Sequence, residues 1–235
     1  MKRFYKLVST KKEPGGFGIC LDSKPVKTPS GTLLLAPTEN MANEIVKEWA
    51  EQEELIVPDS MPLTQILTTR IDRVSKEREA MSEAAMKYLD TDLLCYHAEQ
   101  PPDLVKLQQE SWAPWLDWFE GKFGMALQTT TSLSALRQEE SIHHTVLDHI
   151  ESATDDEFTA LQLVVSLSGS LVLGLAFSEG DVTPEQVFNA AHVEEQHKAA
   201  IYHEDLHGPD PMEEKKQEAM KKDLQAAAVF LKFLK

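Results

Sequence analysis

The stretch FTALQLVVSLSGSLVLGLAF, Phe158–Phe177, decides how the chain is read. Leu, Val, Phe and Ala fall on nearly every side of its helical projection, and only Thr159, Gln162, three serines and two glycines interrupt them. A helix apolar on all sides needs other helices around it, so the stretch predicts an all-helical domain. Thr154–Glu157 (TDDE) reads as a capping box in front of it, with acids suited to the positive helix end. Glu179-Gly180 closes it. Ser166, Ser170 and Gly174 lie four apart, which predicts one small-residue face that another backbone can approach. A membrane span needs about 20 apolar residues, usually with cationic flanks. Here the run from Leu161 to Phe177 is shorter, holds Gln162 and three serines, and is bounded by acids, so a core helix is expected.

Outward from this helix, the composition is that of a globular chain. Its 235 residues fit one or two domains and are 42% hydrophobic. Cys20 and Cys95 form no CxxC and are too few for a disulfide framework, which suits a reducing compartment. Met1–Thr10 has neither an apolar h-region nor a small-residue cleavage site, so a cytoplasmic protein is expected. The net charge of −16 is concentrated in one block. From Glu139 to Glu214 there are 17 acids and one base, Lys198, whereas the remainder holds 22 of each sign. Such a block repels nucleic acid. It is either a solvated face that keeps the protein soluble or a docking face for a neutral or basic partner.

The first 36 residues read as hairpins. Phe4–Val8, Phe17–Leu21, Pro25–Thr28 and Thr32–Leu35 alternate or run apolar between the turns at Pro14-Gly15-Gly16, Asp22-Ser23-Lys24 and Pro29-Ser30-Gly31. Gly15, Gly16 and Gly18 match no phosphate-loop pattern and are turn glycines. Thr38 caps a helix with the apolar stripe Met41, Ala42, Ile45, Val46 and Trp49. A second helix runs from Leu63 to about Lys76, with Ile66, Leu67, Ile71 and Val74 inward. A β-rich unit, 1–76, should then give way to a helical unit, 77–235, with no flexible linker between them. Within the latter, Ala80–Leu89 is helical and Thr91–His97 ambiguous. Leu104–Phe123 is a long helix with a tryptophan stripe and a kink or restart at Pro114. Gln138–Ile150 is an amphipathic helix. A helix capped by Thr183-Pro184-Glu185 runs to about Leu206, and a last one from Met212 to Leu234.

Candidate chemistry is sparse. His203-Glu204-Asp205-Leu206-His207 matches HExxH, which in zinc proteases sets two ligands one turn apart around a general base. Here it occupies a polar helix end running into Gly-Pro-Asp-Pro, so a helix terminus with favourably placed histidines is the expected reading. Glu194 and His197 form E-x-x-H, the di-iron bundle spacing, which needs a second such pair on a buried face. Glu140–His143 is formally one, on a helix expected to be exposed. His143, His144 and His149 read as surface residues. No cofactor, metal or catalytic residue is assigned, and no nucleotide, membrane or small-molecule partner is expected.

Several segments in the right order carry a resemblance along nearly the whole chain. They are RFYK at Arg3–Lys6, GFGICLDSKPVKTPSG from Gly16, LLLAPTENMANEIVKEWAEQ from Leu33, IVPDSMPLTQILTTRID from Ile56, YLDTDLLCYHAEQP from Tyr88, QQESWAPWLDWFEGKFG from Gln108 and GSLVLGLAF from Gly169. The chain resembles the assembly chaperones of F-type ATP synthase that bind the α subunit, found in mitochondria and α-proteobacteria. The resemblance implies an α+β fold, a small β-rich N-terminal domain followed by an orthogonal helical bundle. It implies a chaperone rather than an enzyme, one that shields unassembled α subunit and leaves as the catalytic hexamer forms. Localisation would be cytoplasmic, or the mitochondrial matrix in eukaryotic relatives. Glu48, Trp49 and Gln52 fall on the family's E-W-x-x-Q, with Trp49 read as interdomain or core packing. Glu194 falls on an acidic position that the family needs, and Glu195, Glu204 and Asp205 extend that face. Where the family commonly has W-G-E-D, this chain has Tyr202-His203-Glu204-Asp205, so HExxH arises where Gly became His. Gln196 stands where many relatives carry another acid. The alternatives are a zinc metalloprotease through residues 203–207 and a general holdase.

Overall fold

A computed structural model describes residues 1–201 and 211–234. Four short strands come first: β1 (Val8–Glu13), β2 (Gly16–Leu21), β3 (Lys24–Pro25) and β4 (Leu35–Ala36). All pairings are antiparallel, with β1, β3 and β4 each pairing with β2. The first strand is displaced from the expected Phe4–Val8. The tight turn at Pro14-Gly15 pairs Glu13 with Gly16, so the six residues directly before it must zip against β2, polar though they are. Before β1, Tyr5 reaches α1 (Glu39–Ala50), its hydroxyl donating to the Trp49 carbonyl at 2.7 Å, and the Lys6 and Leu7 amides donate to the Asp22 carboxylate. Thr38 caps α1, and Met41, Ala42, Ile45 and Trp49 are buried, as the stripe predicted.

The next helix, α2 (Pro62–Thr69), continues through a widened π turn, Arg70–Val74, into α3 (Ser75–Met86). Then follow α4 (Pro102–Phe123), α5 (Glu140–Ser152), α6 (Asp155–Ser168), α7 (Leu171–Glu179), α8 (Pro184–Ala191), α9 (Val193–Ile201) and α10 (Pro211–Lys232). A small antiparallel sheet with hairpins followed by a helical region is thus the architecture, as expected. Met1–Arg78 forms one compact unit with Asp155–Ala160 and the chain from Ala226 on; Glu79–Thr154 and Leu161–Gln225 form the other. In the first unit Arg70 and Arg78 pair with Asp156 and Asp155 at 3.1 and 3.4 Å, and the Arg78 guanidinium lies over the Phe158 ring. The acids at the start of α6 are therefore held by arginines as well as by their helix end.

The stretch Phe158–Phe177 is two helices, not one. Gly169 takes the left-handed conformation, φ 71°, and its amide closes on the Val165 carbonyl. Ser170 then caps α7, its hydroxyl accepting from the Leu173 amide at 3.1 Å. Ser-Gly-Ser is a stop followed by a start, because glycine ends a helix at no steric cost and serine begins one. Hydropathy alone ran across it. Only α7 is apolar and buried all round; Ser166 on α6 is exposed. The close approach expected at Gly174 exists, but its partner is α6 itself. A Cβ there would meet Val165 Cγ2 at 2.5 Å and the Leu161 carbonyl at 3.2 Å.

Two other helices differ from expectation. Pro114 does not restart α4, because it lies on the exposed side, where water can take the carbonyl it frees. The helix expected to run from Pro184 to Leu206 breaks at His192. Its ring stacks on Phe188 and its Nδ1 donates to the Phe188 carbonyl at 3.0 Å. Among the helices of the second unit, α4 packs on α5, α7, α8 and α9. Trp112 and Phe119 are its buried stripe, whereas Trp115 and Trp118 are half-buried.

The ambiguous segment Thr91–His97 becomes a 3-10 turn, Leu93–Cys95, that delivers Asp92 to the start of α7. Asp92 is fully buried, and its carboxylate accepts from the Leu94 and Val172 amides, each at 3.0 Å. Burial pushes its carboxyl up to about 6, against the downward pull of the Val172 and Leu94 amides.

Because the folded protein holds this proton more tightly than the unfolded chain, Asp92 adds stability at low pH and loses it as pH rises through about 6. Relative to Asp92→Asn, the wild type should gain roughly 2 kcal/mol between pH 7 and pH 4; parallel urea-unfolding stabilities across that range would contradict this. Gly174→Ala should destabilise by about 1–2 kcal/mol, since overpacking outweighs the helix-propensity gain. In a Val165→Ala background the same change should become neutral or stabilising, which a double-mutant cycle measures.

Candidate functional site

The E-W-x-x-Q segment of α1 works as an interior brace. The Glu48 carboxylate accepts from the Leu63 and Thr64 amides at 2.7 and 2.9 Å and from the Thr64 hydroxyl at 2.7 Å, satisfying the open end of α2. One turn on, Gln52 is buried; its Nε2 donates to the Glu48 carbonyl and the Ser60 hydroxyl, and its Oε1 accepts from the Val57 amide. The Trp49 ring meets Tyr5 edge-on at 5.8 Å. Glu48 and Gln52 thus tie α1 to the segment 57–64 through hydrogen bonds, and Trp49 ties it to Tyr5 through its ring.

The acidic residues singled out on α9 sit on two different sides of it. Glu194 and His197, three apart, face α4. Glu194 is half-buried and its Oε1 accepts from Gln108 Nε2 at 3.1 Å. Gln108 is sealed from solvent, and its own Oε1 accepts from the Ala98 amide at 2.7 Å. His197 is 7% exposed and donates through Nε2 to Asp103 at 2.9 Å. That hydrogen bond from His197 holds the Asp103 carboxyl below the usual range. Above this seam the Trp112 indole donates to the Ala190 carbonyl at 2.8 Å, and His97 meets the Trp112 ring edge-on. Glu195 points the other way and is exposed. Glu204, Asp205 and the His203–His207 match lie outside the described residues.

The E-x-x-H spacing therefore builds a helix–helix seam. Among the described residues no group of three His, Cys, Asp or Glu side chains is placed to hold a metal ion. The second formal pair, at Glu140 and His143, is divided. Glu140 is exposed, whereas His143, expected on the surface, is half-buried 3.0 Å from Asp90. His149, also expected outside, is half-buried against Phe123 and 3.1 Å from Glu179. His144 is exposed as expected. His143 and His149 each find a carboxylate from another segment, which no single-helix projection reveals.

Sequence reading passed over Gln108 and Asp103. Gln108 stands one turn before Trp112 on the buried stripe of α4, and a polar residue on an apolar stripe is a signal. Asp103, in a polar first turn, carries none. Among the described residues no helix is long and apolar enough to cross a membrane.

A small sheet-and-helix unit followed by helices, with an acidic helix held against a tryptophan-bearing one, is the fold of a class of chaperones. It matches the crystal structure of Atp12 from Paracoccus denitrificans, with a TM-score of 0.88 and 29% identity over 100% of this chain and 98% of that one. It also matches the Atu1473 protein of Agrobacterium tumefaciens, with a TM-score of 0.90 and 32% identity over 100% of this chain and 86% of that one. The mitochondrial atp12 protein of Schizosaccharomyces pombe is 26% identical over 209 residues, 84% of this chain and 72% of the yeast protein. Residues 2–120 match the family described as ATP12 chaperone protein. The chain belongs to the ATP12 family, chaperones of ATP synthase assembly.

The seam separates structural from exposed acids in a way that stability measurements can read. Gln108→Ala leaves the Ala98 amide unmet in the core and should cost on the order of 2–3 kcal/mol. Glu194→Gln retains an acceptor for Gln108 and should change stability by less than about 1 kcal/mol. Equal losses in chemical denaturation would show that the Glu194 charge itself holds the seam.

Proposed function

We propose that this chain binds the unassembled α subunit of the F-type ATP synthase catalytic sector in the cytoplasm. It covers surface that later meets the β subunit and leaves when the hexamer forms. It acts by binding, without a reaction or cofactor of its own. Glu194, Glu195, Glu204 and Asp205 are the acids through which it meets the client. Glu48, Trp49 and Gln52 serve the fold behind it.

The observation that carries this reading is the pair on α9 within the acidic block. Glu194 is anchored through Gln108 to the core, and Glu195 beside it is free to meet a partner. Charges so placed set specificity and association rate more than affinity. The family membership supports a client within the ATP synthase. A general holdase would protect unrelated proteins equally well, whereas this reading demands preference for the α subunit.

Glu195→Lys, at an exposed position, should leave the melting temperature unchanged. It should lower capture of unassembled α subunit from native lysate by several-fold at low salt, with the difference shrinking as salt screens it. Unchanged capture at low salt would remove the acidic face from the reading. Equal suppression of aggregation for unrelated proteins would replace it with a holdase.

A further inference from the structure

The α4–α9 seam opens outward into a cleft of about 660 Å³. Its α4 wall carries Asp103, Leu107 and Glu110, and its α9 wall Val193, His197 and Ala200. Leu107 is 41% exposed and offers apolar surface to the cleft. Asp103 accepts from the nearly buried His197 yet keeps 66% of its side chain open. The cleft thus offers apolar surface between two carboxylates, Asp103 tethered by His197 and Glu110 exposed. None of its described lining residues is a lysine or arginine. The cation beside it, Lys106, pairs with Glu110 at 3.6 Å, with both side chains over 60% exposed. Such an exposed pair is weak and readily exchanged for another cation.

We propose that this cleft seats a segment of the α subunit in which a basic residue stands beside an apolar one. The inference rests on the reading that the α subunit is the client, and it names the part of the client engaged. The apolar side chain lies on Leu107 and Val193, and the cation meets Asp103 or Glu110. The volume suits a few side chains rather than a whole protein surface. Charge selects the occupant. An acidic segment would face Asp103 and Glu110 with no lining cation, and a purely apolar one would cover two exposed carboxylates without offering either a new partner. A second copy of this chain would bring its own acidic block to the same place.

The test uses the full chain with the photo-crosslinker benzoylphenylalanine at position 107, and a control chain with it at the fully exposed Leu133. Both are added to native lysate and irradiated. The α subunit should crosslink at 107 and not at 133. The linked peptide should contain a lysine or arginine within a turn of an apolar residue. Leu107→Glu, at an exposed position and so compatible with folding, should reduce α-subunit capture about tenfold, the size of a central apolar contact of roughly 1.4 kcal/mol. Normal α-subunit capture with no crosslink at 107, or with full capture by Leu107→Glu, overturns the cleft and leaves the proposed function standing. A crosslink from 107 to a second copy of the chain overturns it in favour of self-association. No capture of α subunit by the wild-type chain overturns the proposed function, and the cleft's occupant with it.

Discussion

The Asp92 carboxylate, sealed from water, receives the amide of Val172 at the start of α7 and the amide of Leu94 in the turn before it. A helix buried on all sides has no solvent to satisfy its first amides, so an acceptor must be supplied from elsewhere in the chain. An anion there also meets the positive end of the helix. Asp92 and the Ser170 cap together meet that need. They fix where α7 begins and tie it to the turn at Leu93–Cys95. The packing of α4 on α7, and through α4 the placing of α8 and α9, builds on that point. The arrangement has a cost, since burial pushes the carboxyl up to about 6.

The same device recurs with other residues. Glu48 meets the amides that open α2, Asp155 and Asp156 open α6 against arginines, and Thr183 with Gln186 forms a reciprocal cap for α8. Many of the chain's acids are thus consumed at helix ends and seams. The large negative charge is therefore not one surface property. Some carboxylates hold the helices in place, some are tethered yet open, as at Asp103, and some are free, as at Glu195. Gln108 and His197 hold Glu194 and Asp103 in place along the α4–α9 seam, while Glu195 stays open to solvent.

Much of this could be read along the chain. The turns and the second strand of the first 36 residues, the Thr38 cap, the stripes of α1 and α2 and the presence of helices after them follow from local chemistry and periodicity, and the structure has them; the strands around β2 lie elsewhere than expected. The quoted family segments pointed to the ATP12 chaperones, and the comparisons agree. The departures have separate causes: at Ser168-Gly169-Ser170 turn chemistry overrides hydropathy, and at His192, whose ring stacks on Phe188, a helix ends with neither Gly nor Pro at its C-terminus.

The sequence by itself determined that a hairpin-rich segment precedes a helical one, that a buried all-apolar helix must exist, and that the acids crowd one block. Those are properties of neighbours along the chain. Only the tertiary structure decided that Asp92 serves α7 across 80 residues of sequence, that Gln108 holds Glu194, and that His197 meets Asp103 across a seam. Each of these bonds joins a donor and an acceptor from distant segments, and their meeting is set by how buried helix ends find partners, which no local pattern encodes.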